Sequence, residues 1–110
     1  MKKYKIRITD LAEQDFEEIG DYIAYHLEAP STAVKIVKGI KKELISLASM
    51  PERNQLDEDK FLSELGVRRH YYKSYNIYYM VYEQENSIVI LRILHTLVDR
   101  QAKIYRVFGR

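Results

Sequence analysis

Arg68, Arg69, His70, Tyr71 and Tyr72 follow one another along the chain, a run of cations and rings with no acid among them. Arginine neutralises phosphates, and Tyr or His rings stack on splayed bases, so this inventory suits a polyanion or a macromolecular surface. His95 ends the last strand-forming run, with Arg92 shortly before it and Arg100 shortly after. A metal-free ribonuclease needs such a set: a base for the 2′-hydroxyl, cations for the phosphorane and an acid for the leaving oxygen. The competing reading is a sheet face covered by Tyr and Arg that binds a protein partner. Six of the ten Tyr lie between Tyr71 and Tyr82, and Trp is absent, so the aromatic area is concentrated in one short stretch.

Other chemistries drop out by composition. With no Cys, thiolate nucleophiles, disulfides and Cys-ligated metals are excluded. His26, His70 and His95 lack the helical pair spacing of a zinc site, and no metal is expected. Four glycines without a clustered motif make no phosphate-cradling loop, so no cofactor is expected either. Two residues have plain structural readings. His26 sits near a helix end, where its ring favours the carbonyl dipole. Arg92 interrupts the apolar run from Ile90 to Leu94, and needs either an external partner or a carboxylate such as Glu17, Glu18 or Asp21.

These residues must be positioned by a small scaffold. A length of 110 residues predicts a single domain over 1–110, with one modest core. The net charge of +2 is unevenly spread: residues 1–65 sum to −3 and residues 66–110 to +5, which turns the C-terminal half toward something anionic. No apolar run approaches the roughly 20 residues of a membrane span. The basic start, Met1-Lys2-Lys3-Tyr4-Lys5, leads into alternating residues rather than a signal-peptide block, so a cytoplasmic location is expected.

Residues 3–8 alternate in polarity, which predicts a half-buried strand. Thr9 or Asp10 can cap a helix whose stripe is Ala12, Phe16, Ile19 and Ile23, extended by Leu27 and ended by Pro30. Ser31 is a second cap candidate, and Ala33, Val37, Ile40, Leu44 and Leu47 line the next helix up to Pro51. Residues 52–65 read as a polar loop holding a helical turn. Three strands follow, at Val67–Tyr72, Tyr75–Tyr82 and Ser87–His95, then a short helix from Gln101 to Phe108 that exposes Lys103, Arg106 and Arg110. The fold class is α+β, β-α-α-β-β-β-(α), a helical hairpin packed on one face of an antiparallel sheet of about four strands.

Taken in order, these segments resemble the RelE/ParE superfamily of toxins from bacterial type II toxin–antitoxin systems. The resemblance spans nearly the whole chain. It rests on Ala12, Asp15, Phe16, Ile19 and Tyr22-Ile23, on Leu47 to Pro51, on Gly66-Val67-Arg68-Arg69, on Tyr75, Ile77, Tyr79 and Val81, and on Ile90 to His95 followed by Asp99. It implies a cofactor-free toxin neutralised by a cognate antitoxin that wraps around it, often over the helical hairpin. Relatives that cleave mRNA are similar in placing Arg directly after the Tyr that opens the middle strand, where this chain has Asn76. They also carry further cations on the preceding strand and just past the last one, where this chain reads Val67-Arg68-Arg69 and Thr96-Leu97-Val98. The Arg92 to His95 signature followed by Asp99 resembles the ParE branch, whose members block DNA gyrase. That resemblance implies a target-contacting surface of Arg68, Arg69, Arg92, His95, Arg100 and Arg106. The alternative that the resemblance implies is a ribosome-dependent mRNA endonuclease, with the ribosome and mRNA as partners and Arg68, Arg69 and His95 as catalytic residues: the two Arg would hold the scissile phosphate, and His95, or Tyr105, would act as general acid.

Overall fold

Alternation builds the first strand, β1 (Lys5–Ile8): Lys5 and Arg7 are exposed, while Ile6 and Ile8 turn inward. A computed structural model describes residues 3–110; Met1 and Lys2 of the basic start lie outside the described residues. Thr9 then caps α1 (Asp10–Asp21), its hydroxyl oxygen accepting the Ala12 N–H at 3.1 Å. The same hydroxyl donates to the Leu91 carbonyl at 2.9 Å, which ties the helix start to the sheet. α1 runs on through a π turn (Tyr22–His26), closed by Leu27 N–H donating to the Tyr22 carbonyl at 3.1 Å. That wider turn shifts the helical period. Leu27 therefore leaves the inward stripe, contrary to the sequence expectation, and is 56% exposed.

Pro30 does not merely end the first helix; it opens α2 (Pro30–Ser49). Its fixed φ and missing N–H suit the first helical position, where no intrahelical donor is required. The residue before it, Ala29, makes no side-chain cap, so Ser31 does not have the capping role its type suggests. A loop leads to α3 (Lys60–Leu65), capped by the Asp59 carboxylate on Leu62 N–H and stopped by Gly66 at φ 88°. β2 (Val67–Tyr72), β3 (Tyr75–Tyr82) and β4 (Ser87–His95) have the bounds their composition predicts, and α4 (Arg100–Arg106) follows.

The sheet order is β1-β4-β3-β2. β2, β3 and β4 pair antiparallel through short connections, but β1 pairs parallel with β4. The sheet is therefore mixed rather than wholly antiparallel. No tight turn links β1 to β4, so nothing in the connection imposes antiparallel pairing. β4 takes a central position in keeping with its almost unbroken apolar run.

Both faces carry helices, rather than the single covered face the element order suggests. The α1–α2 hairpin packs Ala12, Ile40, Leu44 and Leu47 against Tyr75, Ile77, Tyr79, Ile88, Ile90 and Ile93. On the other face α3 and α4 cover Val67, Tyr78, Leu91 and Leu94 with Leu62 and Ile104. A register shift lies between them: Tyr79 faces Ile90 while Tyr78 faces Arg92, leaving Leu91 as the extra residue of a bulge.

Candidate partner-binding site

Arg92 is placed by that bulge. Its Nε and Nη2 donate to the two Asp15 carboxylate oxygens at 2.8 and 2.7 Å, and its Nη1 donates to the Lys103 carbonyl at 3.0 Å. Asp15 also accepts the Ile93 N–H at 2.9 Å. β1 pairs with β4 only as far as Ile90, so the carboxylate takes over the β4 edge where the strand partner ends. Arg92 is 5% exposed and Asp15 4%, and the bidentate bond holds the guanidinium above its ordinary pKa. Arg92 is thus an internal ion-pair residue, not a target-contacting one. Its acid is Asp15, not Glu17, Glu18 or Asp21. The signal for Asp15 was a carboxylate falling on the inward stripe, three residues after Ala12 and four before Ile19.

Arg68 and Arg69 alternate across β2 onto opposite faces. Arg68 turns to the hairpin side, where its Nη1 donates to the Asn54 carbonyl. Next to it His70 is braced between Glu43 at 3.1 Å and the Asn54 amide at 2.9 Å. The same amide reaches the Tyr79 hydroxyl at 3.1 Å, which donates to the Pro51 carbonyl at 2.6 Å. This network clamps the loop after α2 to the sheet. Arg69 lies on the α3–α4 side, over the Tyr71 ring at 4.9 Å.

His95 stands edge-on to Tyr75 at 5.4 Å, on the hairpin side of the sheet. Its Nδ1 accepts the Leu97 N–H at 3.1 Å. The structure therefore does not bring Arg68, Arg69 and His95 together. Arg69 and His95 lie on opposite faces, and β2 is separated from β4 by β3, roughly 10 Å across the sheet. His95 instead lines a groove of about 820 Å³ between the π turn and the loop after β4, with Tyr22, His26, Leu27 and Leu97 around it. Large apolar side chains gather in that groove: Tyr22 is 55% exposed, Leu27 56% and Leu97 87%.

The cations of α4 face outward. Arg100, Lys103 and Arg106 are exposed and, among the described residues, form no ion pair. α4 is fastened to α3 by the Tyr105 hydroxyl, which lies 2.7 and 2.9 Å from the two Asp59 oxygens, and by Gln101 donating to Asp59 at 3.2 Å. The Tyr105 hydroxyl, with backbone N–H groups, holds the Asp59 carboxyl below its usual range. The bond to that carboxylate in turn holds Tyr105 above the usual phenol range. Tyr105 is thus bound to an acid instead of poised to release a proton. Phe61 and Phe108 complete the seam, with Arg110 over the Phe61 ring at 4.2 Å.

Three polar atoms on the α3–α4 side are buried and unpartnered: Arg69 Nη1, Asn76 Oδ1 and Tyr78 Oη. Register sets Arg69 directly opposite Tyr78. Burial pushes the Tyr78 hydroxyl up to about 12. Composition could not single out Tyr78, since its neighbours of the same type are packed core. No metal-binding cluster of His and carboxylates is present among the described residues, and no described helix is long and apolar enough to cross a membrane.

Comparison with known proteins gives the geometry a family. None of the curated protein sequences is similar enough to match. The chain is similar in fold to a chain of the chromosomal ParDE toxin–antitoxin system from P. aeruginosa, with a TM-score of 0.69 at 22% identity over 86% of this chain and 98% of that one. It is similar to a chain of the RelBE2 toxin–antitoxin complex from Mycobacterium tuberculosis, with a TM-score of 0.66 at 20% identity over 86% and 93%. A free mutant of the E. coli toxin RelE gives 0.61 at 14% identity over 94% and 92%. The family model for the ParE toxin of the type II toxin–antitoxin system parDE matches residues 6–99, nearly the whole folded unit. The chain belongs to the ParE toxin family of type II toxin–antitoxin systems.

Proposed function

We propose that this toxin arrests growth by binding DNA gyrase, and that a cognate antitoxin neutralises it. The observation that carries the reading is the dispersal of the nuclease set. Arg68 is tied to a backbone carbonyl two strands away from His95, with β3 between them, and Arg69 lies on the other face from His95. An acid and a phosphate-holding cation must meet within hydrogen-bond reach of one substrate, and these do not. Asn76, at the position where mRNA-cleaving relatives carry Arg, is buried at 2% exposure and offers no cation. What remains outward is suited to docking: the exposed α4 cations and the aromatic groove beside His95. Both kinds of surface are usual in macromolecular recognition.

Purified toxin added to gyrase on plasmid DNA tests this directly. Supercoiling is expected to fall and cleaved, enzyme-linked DNA to accumulate as toxin increases. Unchanged supercoiling at excess toxin, with codon-positioned cuts in translated mRNA that vanish on His95→Ala, would establish the endonuclease reading instead.

A further inference from the structure

We propose that the cavity between α3, α4 and β3 is a receptor for an arginine side chain presented by a protein partner. The cavity measures about 330 Å³, near the lower limit of about 300 Å³ for small-ligand pockets. Asp57, Glu58 and Asp59 stand along its wall, three carboxylates against the Arg100 guanidinium in the lining and that of Arg69 beside Tyr78. The field inside therefore favours a cation. Anions have no claim on the two short helices that begin here, because Asp59 already accepts the Leu62 N–H of α3 and Asp99 the Ala102 N–H of α4.

The second observation is Tyr78. It lines this cavity, is 1% exposed, and its hydroxyl oxygen has no hydrogen-bond partner. A buried phenol without a partner lowers stability, and the fold retains one among the side chains that line an acidic cavity. Its raised pKa keeps it a neutral phenol, whose lone pairs accept an N–H. A guanidinium is the cation that fits such a set, since its planar fork of five donors can serve a phenol oxygen and carboxylates at once. Asp57 is 9% exposed and has one oxygen engaged by the Asp59 N–H, so a charged partner entering there meets an acceptor already held in place. This site stands apart from the gyrase reading and is tested without that enzyme.

The experiment is a two-dimensional amide NMR titration of the full chain with N-acetyl-L-arginine amide. Matched titrations use the lysine amide, the norleucine amide and inorganic phosphate. Saturable shifts at Leu62, Gln101 and Ile104 are expected with the arginine compound and none with norleucine or phosphate. Asp57→Asn and the exposed-site variant Glu58→Gln should each weaken binding about threefold to tenfold, the range of one charge-assisted hydrogen bond. Tyr78→Phe separates binding from folding: the melting temperature should rise while affinity falls. Saturation by phosphate, equal binding of the lysine amide, or no saturation at the solubility limit overturns the proposal. So does a Tyr78→Phe variant that binds arginine as tightly as the parent.

Discussion

A guanidinium at 5% exposure survives inside this sheet because one carboxylate satisfies two of its nitrogens and also caps the β4 edge. Removing one partner strands the other, so Asp15→Asn should destabilise the fold by about 3–5 kcal/mol, read as a lower urea midpoint with an unchanged slope. Replacing the pair together, as Asp15→Leu with Arg92→Met, should cost far less, because no charge is left buried alone. A pH effect belongs to the Asp59–Tyr105 clasp. Asp59 titrates below its ordinary value when folded, so its contribution is complete above about pH 4 and fades as pH falls through the lowered folded value. Tyr105 titrates above its ordinary value, so its contribution is complete below about pH 10 and fades as pH rises through the raised folded value. Tyr105→Phe should therefore flatten both limbs of the stability–pH curve, measured by thermal melts from acid to alkaline buffer. At this scale the sequence was partly legible. A charge inside the Ile90–Leu94 run announced a buried partner, but Glu17, Glu18 and Asp21 matched that need equally well on paper. Which acid meets Arg92 depends on where β1 stops pairing, and spacing along α1 does not encode that.

Elements follow their local rules until a tertiary contact overrides them. The β2, β3 and β4 bounds are legible because aromatic and β-branched runs are punctuated by polar turns. The π turn and the β4 bulge are not, since each inserts a residue without changing composition. Gly39 shows the override most plainly. It lies mid-helix in α2, where Gly→Ala normally stabilises by about 1 kcal/mol. Here an added Cβ would stand 1.9 Å from the Tyr72 hydroxyl oxygen and 2.7 Å from the ring carbon that bears it. The half-buried Tyr72 ring crosses the helix at this point, so the glycine is the contact that lets β2 approach α2. Gly39→Ala is expected to destabilise by about 1–3 kcal/mol, the cost of overpacking, in place of the usual gain. Adding Tyr72→Ala should recover part of that loss in a double-mutant cycle, and additive costs would show that the two residues do not meet.

Across the whole molecule, the charge asymmetry between the two halves resolves into position. The acids of α1 lie along the hairpin, with Asp15 consumed internally, whereas Arg100, Lys103 and Arg106 project from the last helix. The exposed cations of the C-terminal half thus sit mainly on α4, because Arg92 is neutralised, Arg68 is tied to a carbonyl and Arg69 is half-buried with one nitrogen enclosed. If gyrase on DNA is the target, as proposed, this cationic helix acts through long-range attraction, which accelerates encounter and is screened over about 8 Å at physiological salt. Lys103→Glu combined with Arg106→Glu tests that role without disturbing the core, since both side chains are exposed and the Lys103 carbonyl still accepts from Arg92. Placing acids in the last turn of α4 opposes its dipole by about 0.3–1 kcal/mol per residue, so folded content should stay essentially full by circular dichroism. Inhibition of gyrase should require at least about tenfold more of this variant at low ionic strength, because four units of charge are reversed on one short helix. The gap should narrow as salt rises, whereas a variant of the aromatic groove such as Tyr22→Ala should show a loss that salt does not change. If the double variant inhibits as strongly as the parent at every ionic strength, α4 is not the surface that meets the target, and the groove beside His95 becomes the place to look.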